Sequence, residues 1–107
     1  MFTGVVELTS KPCKSRELSS LINDTIVPIL KKQAGFVDEI VLVSDADSNC
    51  VLALSFWKTR EDAERYQREQ YSSVRETMQS LLEAEPVVRT FEVHTSTGHK
   101  ITPGKAA

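Results

Sequence analysis

Between Val51 and Trp57 the chain reads Val-Leu-Ala-Leu-Ser-Phe-Trp, without a charge. Alternate side chains of a strand point to opposite sides of a sheet, so Leu52, Leu54 and Phe56 share one face. Val51, Ala53, Ser55 and Trp57 share the other. Neither face is polar, so both need cover. Three further stretches alternate in the same way. Phe2 to Leu8 puts Phe2, Gly4, Val6 and Leu8 on one side and Val5 on the other. Phe36 to Ser44 sets Val37, Val41 and Val43 opposite Phe36, Ile40 and Leu42. Val87 to Val93 predicts a last strand. Asp45-Ala46-Asp47-Ser48-Asn49 is a turn by composition, so the strands on either side of it pair as an antiparallel hairpin.

Helical spacing fills the gaps. Leu18, Leu21/Ile22, Ile26 and Ile29/Leu30 form an apolar stripe that predicts a helix from Ser15 to Gln33. Pro12 precedes it as a strand breaker, and Gly35 is placed to terminate it. Pro28 lies inside and predicts a kink or a division of the helix near Asp24 to Thr25. Thr59 is placed as an N-cap with Asp62 three residues on. The helix that follows carries the stripe Ala63, Tyr66/Gln67, Val74, Met78 and Leu81. Glu61 with Arg65 and Glu64 with Arg68 are favourable pairs on its wet face. Its polar run Glu69 to Ser73 predicts a division into two shorter helices, and Glu85-Pro86 ends it.

The order is βαββαβ, an α+β ferredoxin-like fold with a four-stranded antiparallel sheet and the helices on one face. Helices cover one side. The other is predicted to meet a second copy, giving a homodimer through the open sheet face. Residues 1–94 form one domain, and 95–107 read as a polar C-terminal tail, mobile or laid on a partner.

Composition narrows the partners. The chain of 107 residues is 40% hydrophobic and 26% charged, with a net charge of −2 from interspersed signs. No basic stripe calls for nucleic acid, and no apolar run approaches a membrane span. The N-terminal residues lack the pattern of a signal peptide, and the two cysteines, Cys13 and Cys50, suit neither a disulfide framework nor zinc. Each reads as a small packed side chain, with a pairing or a reactive thiol as the alternative, and the expected compartment is the cytoplasm.

Four short motifs resemble the antibiotic biosynthesis monooxygenase domains of the dimeric α+β barrel superfamily. Lys11-Pro12-Cys13-Lys14 is similar to the family's Lys-Pro-Gly-Lys turn, and Gln33-Ala34-Gly35-Phe36 to its Gly-Phe lead-in to the second strand. Phe56-Trp57-Lys58-Thr59-Arg60-Glu61-Asp62-Ala63, running on to Tyr66, resembles its strand-to-helix junction. Glu85-Pro86 fits before the last strand. The resemblance implies a dimeric barrel and one of several activities. Some relatives oxidise polycyclic hydroquinones with oxygen and no cofactor, others degrade haem, and others isomerise small molecules. The haem-degrading relatives use a histidine on the second helix and an Asn on the first strand. Here that helix offers Tyr66-Gln67-Arg68, and the first strand has no Asn, which disfavours haem degradation.

The reading carried forward is a cofactor-independent monooxygenase acting on a small aromatic or polyketide-like, hydroquinone-type metabolite, with no metal and no cofactor. The alternatives are a non-catalytic dimeric ligand-binding or stress-associated protein, and an isomerase of the same fold. The site residues are Trp57, Tyr71 and Tyr66. Trp57 bounds a pocket in which small Ala53 and Ser55 leave room, although it also suits simple core closure. Tyr66 lies on the apolar stripe and reads also as core, whereas Tyr71 in the polar break is better placed for a ligand. The Asn that quinol-oxidising relatives carry four residues before the Trp is Ala53 here. Glu7, which also suits a cross-strand partner in Arg89, and His94 are the candidate bases.

Overall fold

The computed structural model describes residues 1–99 and 101 of the chain. Strands β1 (Phe2–Thr9), β2 (Phe36–Val43), β3 (Cys50–Trp57) and β4 (Val87–Glu92) form one antiparallel sheet in the order β2-β3-β1-β4. Helices α1 (Ser15–Leu21) and α2 (Val27–Lys31) lie between β1 and β2, and α3 (Arg60–Glu69) and α4 (Tyr71–Met78) between β3 and β4. This is the βαββαβ ferredoxin-like arrangement expected from the pattern.

The core fills the space between helices and sheet. Leu18, Ile22, Ile26 and Leu30 are buried from the first helical layer, and Ala63, Tyr66, Val74, Met78 and Leu81 from the second. They meet Phe2, Leu8, Val51, Ala53 and Trp57 of the two central strands. The helix-covered face of β3 is therefore the Val51–Trp57 set, and Leu52, Leu54 and Phe56 face the open side.

The α-helix is divided around Asp24 and Thr25, where Pro28 predicted it, but the chain does not leave the helical path. Instead it widens into a π-helical turn over Ile22–Ile26, in which the Val27 N–H reaches the Ile22 carbonyl. A wider turn absorbs the bond that proline cannot donate, so α1 and α2 run on through it. Regular helix ends at Lys31, earlier than Gln33, because Lys32 and Gln33 bond back to Ile29 and Leu30 in tighter turns.

Strand β2 departs from simple alternation. Phe36 pairs with Trp57, and Asp38 with the adjacent Phe56, so Val37 is an extra residue in a bulge. The bulge turns Phe36 to the helix-covered face, where its ring meets the edge of Trp57 at 5.6 Å between centroids. Phe36 therefore sides with Val41 and not with Ile40.

The β3–α3 junction is closed by three contacts. Thr59 Oγ1 accepts the Asp62 N–H at 3.2 Å and donates to Asp62 Oδ2 at 2.9 Å. The Lys58 N–H donates to the Gly35 carbonyl at 2.8 Å. Arg65 pairs with Asp62 at 3.1 Å, in place of the expected Glu61, because the cap already fixes that carboxylate. Gly35 has φ +80°, and a Cβ there would run into the Asp62 side chain. α3 and α4 are separated at Gln70 (φ −122°), where the polar run predicted a break.

Cys13 is exposed, against the expectation of a packed side chain, and its φ of 65° places it in the left-handed region. It stands where the resembling turn carries glycine. After β4 the Val93 N–H bonds to the Met1 carbonyl, and no regular element follows through His99. The predicted tail lies partly outside the described residues.

Two substitutions test these turns by denaturant unfolding. Gly35→Ala is expected to lower stability by about 1–3 kcal/mol, since it combines a disfavoured φ with displacement of the capping carboxylate. Cys13→Gly is expected to raise it by up to about 1 kcal/mol, the left-handed cost of an L-residue exceeding the entropy that glycine loses.

Candidate functional site

Two neighbouring rows of the sheet make the floor of a cavity. In register across β2, β3, β1 and β4 run Glu39, Ser55, Gly4 and Thr90, followed by Val41, Ala53, Val6 and Val88, and all of these but Val41 line the cavity. Gly4, Ala53 and Ser55 are small, so the floor leaves space beneath the helices. The gap left is a cavity of about 290 Å³, near the small end of ordinary ligand pockets at roughly 300–1,000 Å³. Ile22, Ile26 and Leu30 line it from the first helical layer, and Tyr66, Tyr71 and Met78 from the second. Its exposed lining residues, Arg60, Glu64 and Gln67 of α3 and Thr90 of β4, mark the mouth.

Trp57 is held on three sides. Its Nε1–H donates to Ser55 Oγ at 3.0 Å, which satisfies the one polar atom of the indole. Tyr66 stacks on it at 5.2 Å between centroids with the planes 29° apart, and Phe36 meets its edge. Only 1% of Trp57 is exposed, yet it lines the cavity, so packing and pocket wall are the same position. The Arg60 guanidinium sits 5.2 Å from the centre of the Phe2 ring at the cavity mouth.

The structure brings Trp57, Tyr66 and Tyr71 to one cavity. Tyr71 is half-buried, and its hydroxyl is sealed from solvent without a hydrogen-bond partner. Burial pushes the Tyr71 hydroxyl above its ordinary pKa, Arg75 opposing the shift and Glu85 adding to it. Tyr66 is raised further, by burial first and then by Glu39 and Tyr71. Both phenols are therefore neutral donors at ordinary pH.

The candidate bases lie elsewhere. Glu7 sits on the open face of the sheet and pairs with Arg89 at 2.9 Å. His94 is exposed beyond the end of β4. Neither lines the cavity.

Glu39 is a further residue of the site, one that the sequence pattern does not announce. It occupies the floor opposite Ser55, and its Oε1 is buried without a hydrogen-bond partner. Burial, reinforced by the Asp38 charge, raises its carboxyl from 4.5 to about 8. Its signal was parity: Glu39 alternates with Val41 and Val43 on the helix-covered side of β2. Beside Asp38 it reads instead as half of an exposed acidic pair. Among the described residues no group of three or more His, Cys, Asp or Glu is placed to hold a metal ion, and no helix is long and apolar enough to cross a membrane.

A sequence profile of the antibiotic biosynthesis monooxygenase family matches residues 1–77, and the chain belongs to that family. Solved structures share the fold at low identity. A monooxygenase of Streptomyces coelicolor, in complex with the ligand nanaomycin D, superposes with a TM-score of 0.76 at 19% identity, over 89% of this chain and 88% of its own. SnoaB of Streptomyces nogalater, a cofactor-independent oxygenase solved as a mutant, gives 0.74 at 17% identity, over 92% and 97%. A conserved protein of Methanosarcina mazei gives 0.69 at 20%, over 84% and 89%. No curated protein matches the chain in sequence.

The raised carboxyl of Glu39 fixes a sign for pH dependence. Between pH 4.5 and about 8 the folded protein holds a proton on Glu39 that the unfolded chain has released. Stability contributed by the neutral acid is thus present below 4.5 and lost as pH rises to about 8. Glu39→Gln is expected to remove that decline, so that its melting temperature exceeds the wild-type value most at alkaline pH. Parallel thermal melts of the two proteins from pH 4 to 9 measure the difference.

Proposed function

We propose that this protein is a cofactor-independent monooxygenase of a small fused-ring phenol or hydroquinone. The observation that carries the reading is the cavity itself. It has apolar walls, it is bounded by a clamped Trp57–Tyr66 stack, and it holds a carboxyl without a charge partner. Flat aromatic walls suit a flat aromatic ligand. Electron-rich polycyclic phenols need little more from a protein than binding and loss of a proton, after which the substrate anion itself reduces oxygen. Family membership and oxygenases among the structural neighbours, those of Streptomyces coelicolor and Streptomyces nogalater included, support the same chemistry. A cavity filled by the protein's own side chains would have favoured a protein without turnover, and this one is open.

The same proposal includes a homodimer. On the uncovered face Ile40, Leu42, Val87 and Phe91 are each at least 40% exposed, around Leu52 and Leu54. An apolar sheet face of this kind needs cover, and a second copy provides a matching one.

Oxygen uptake by metal-free, flavin-free protein over a panel of hydroquinones and anthrones tests the activity. Wild type is expected to consume oxygen above background. Trp57→Phe, which keeps a ring but loses the bond to Ser55, is expected to slow turnover by about 10- to 100-fold while still folding. No uptake over the whole panel would sink the reading. Sedimentation velocity at micromolar concentration is expected to show a dimer, and Leu42→Asp a monomer, since each interface would bury unpaired charge. A monomeric wild type would remove the dimer from the proposal.

A further inference from the structure

Resting on that oxygenase reading, we propose that Glu39 is the proton-transfer group of the site. In this role its carboxylate takes a proton from the ring-flanked C–H or phenolic O–H of a fused-ring carbon or oxygen acid bound against Trp57. The geometry singles it out. The cavity is lined by two carboxylates, and Glu64 is an exposed residue at its mouth. Glu39 alone sits on the floor, in the row that passes through Ser55 beside the indole. Its Oε1 is shut away from water and bonded to nothing, so a bound ligand would supply the missing partner. The phenols of Tyr66 and Tyr71 cannot compete for the role, because burial holds both in their protonated form.

A carboxylate in ordinary solvent is too weak a base for such a substrate. The same group on this floor is matched to it, since a proton acceptor works best when its pKa lies near the working pH. The proton account closes. For a methylene flanked by two rings, Glu39 takes one proton and leaves a carbanion. The carbanion passes an electron to O2, and radical and superoxide combine as a peroxide anion. Protonated Glu39 returns its proton to that anion. Loss of the second C–H proton to Glu39, with cleavage of the O–O bond and departure of hydroxide, gives the carbonyl. Glu39 then releases that proton to the hydroxide, so the sum is CH2 plus O2 giving C=O plus H2O.

Proton abstraction can be read without oxidation. The probe is 1,8-dihydroxyanthrone, incubated under argon in D2O with the full chain, with exchange of its methylene hydrogens followed by NMR and binding by quenching of the Trp57 fluorescence. Wild type is expected to bind the probe and to accelerate exchange over buffer. Glu39→Gln, whose amide can still hydrogen-bond the probe, is expected to retain detectable binding and to lose about 100-fold of the acceleration. Glu39→Asp, which keeps the carboxylate one methylene back, is expected to recover part of it.

The exchange rate of wild type should climb with pH and level off above about 8, and that of Glu39→Gln should not. The other charged and titratable groups around the site do not mimic this profile. Asp38 lies on the opposite face of β2, Glu64 and Arg60 are exposed at the mouth, and Tyr66 and Tyr71 titrate at higher pH.

Undiminished acceleration in Glu39→Gln, or binding by wild type without acceleration, overturns the proposal and leaves the oxygenase reading to its own test. Glu39-dependent exchange with no oxygen uptake when air is admitted does the reverse: the proton acceptor stands and the oxygenase reading falls. A probe that neither binds nor exchanges overturns the proposal and leaves the oxygenase reading to the wider panel.

Discussion

Trp57 does three jobs that constrain one another. It ends β3, so its position follows from the strand. It is clamped between Phe36 and Tyr66, so it ties the bulged start of β2 to α3. Its N–H is spent on Ser55, two residues earlier on the same face, so the ring cannot turn without orphaning a buried donor. The cavity wall is rigid because the core that stabilises the fold and the surface that would meet a ligand are the same ring. A protein that needed Trp57 only for packing would have no reason to leave small side chains on the floor beside it.

Much of this was legible in the chain. Local patterns carried the element order, the two helical stripes, the Thr59–Asp62 cap and the division near Gln70, because each depends on spacing between near neighbours. The pairing of Trp57 with small Ala53 and Ser55 was visible for the same reason. What escaped was non-local. The bulge at Val37 is set by pairing with β3, and it reverses the side on which Phe36 lies. Glu39 escaped because a carboxylate is read as wet unless its partners on both sides of the sheet are known. Residue type alone points to Glu7 and His94 as bases. Glu7 already has its counter-ion on the open face, and His94 lies beyond the last strand. Cys13 escaped because a left-handed turn demands a backbone geometry that the residue type does not announce.

Glu39 is also the place where the structure works against its own stability. Most buried acids are paired or bonded, and this one is opposed by Asp38 and sealed by helices. Such a group persists in a small domain only if the remaining contacts absorb the cost. The two apolar helical stripes, closed over the sheet by the capped β3–α3 junction, are where that reserve lies. Local conflict of this kind marks functional positions better than residue identity does.

The widened turn at Ile22–Ile26 has a geometric consequence for the ceiling over Glu39. Leu18, Ile22, Ile26 and Leu30 follow one another at four-residue steps, and in an ordinary α-helix each such step turns the stripe by about 40° around the axis. Over three steps the last side chain would have swung well away from the first. A π turn holds more residues than an α turn and winds the stripe back, so all four remain buried on one side. Pro28 thus acts as a phase corrector: by denying one hydrogen bond it keeps a four-residue repeat aligned with a helix whose natural period is shorter.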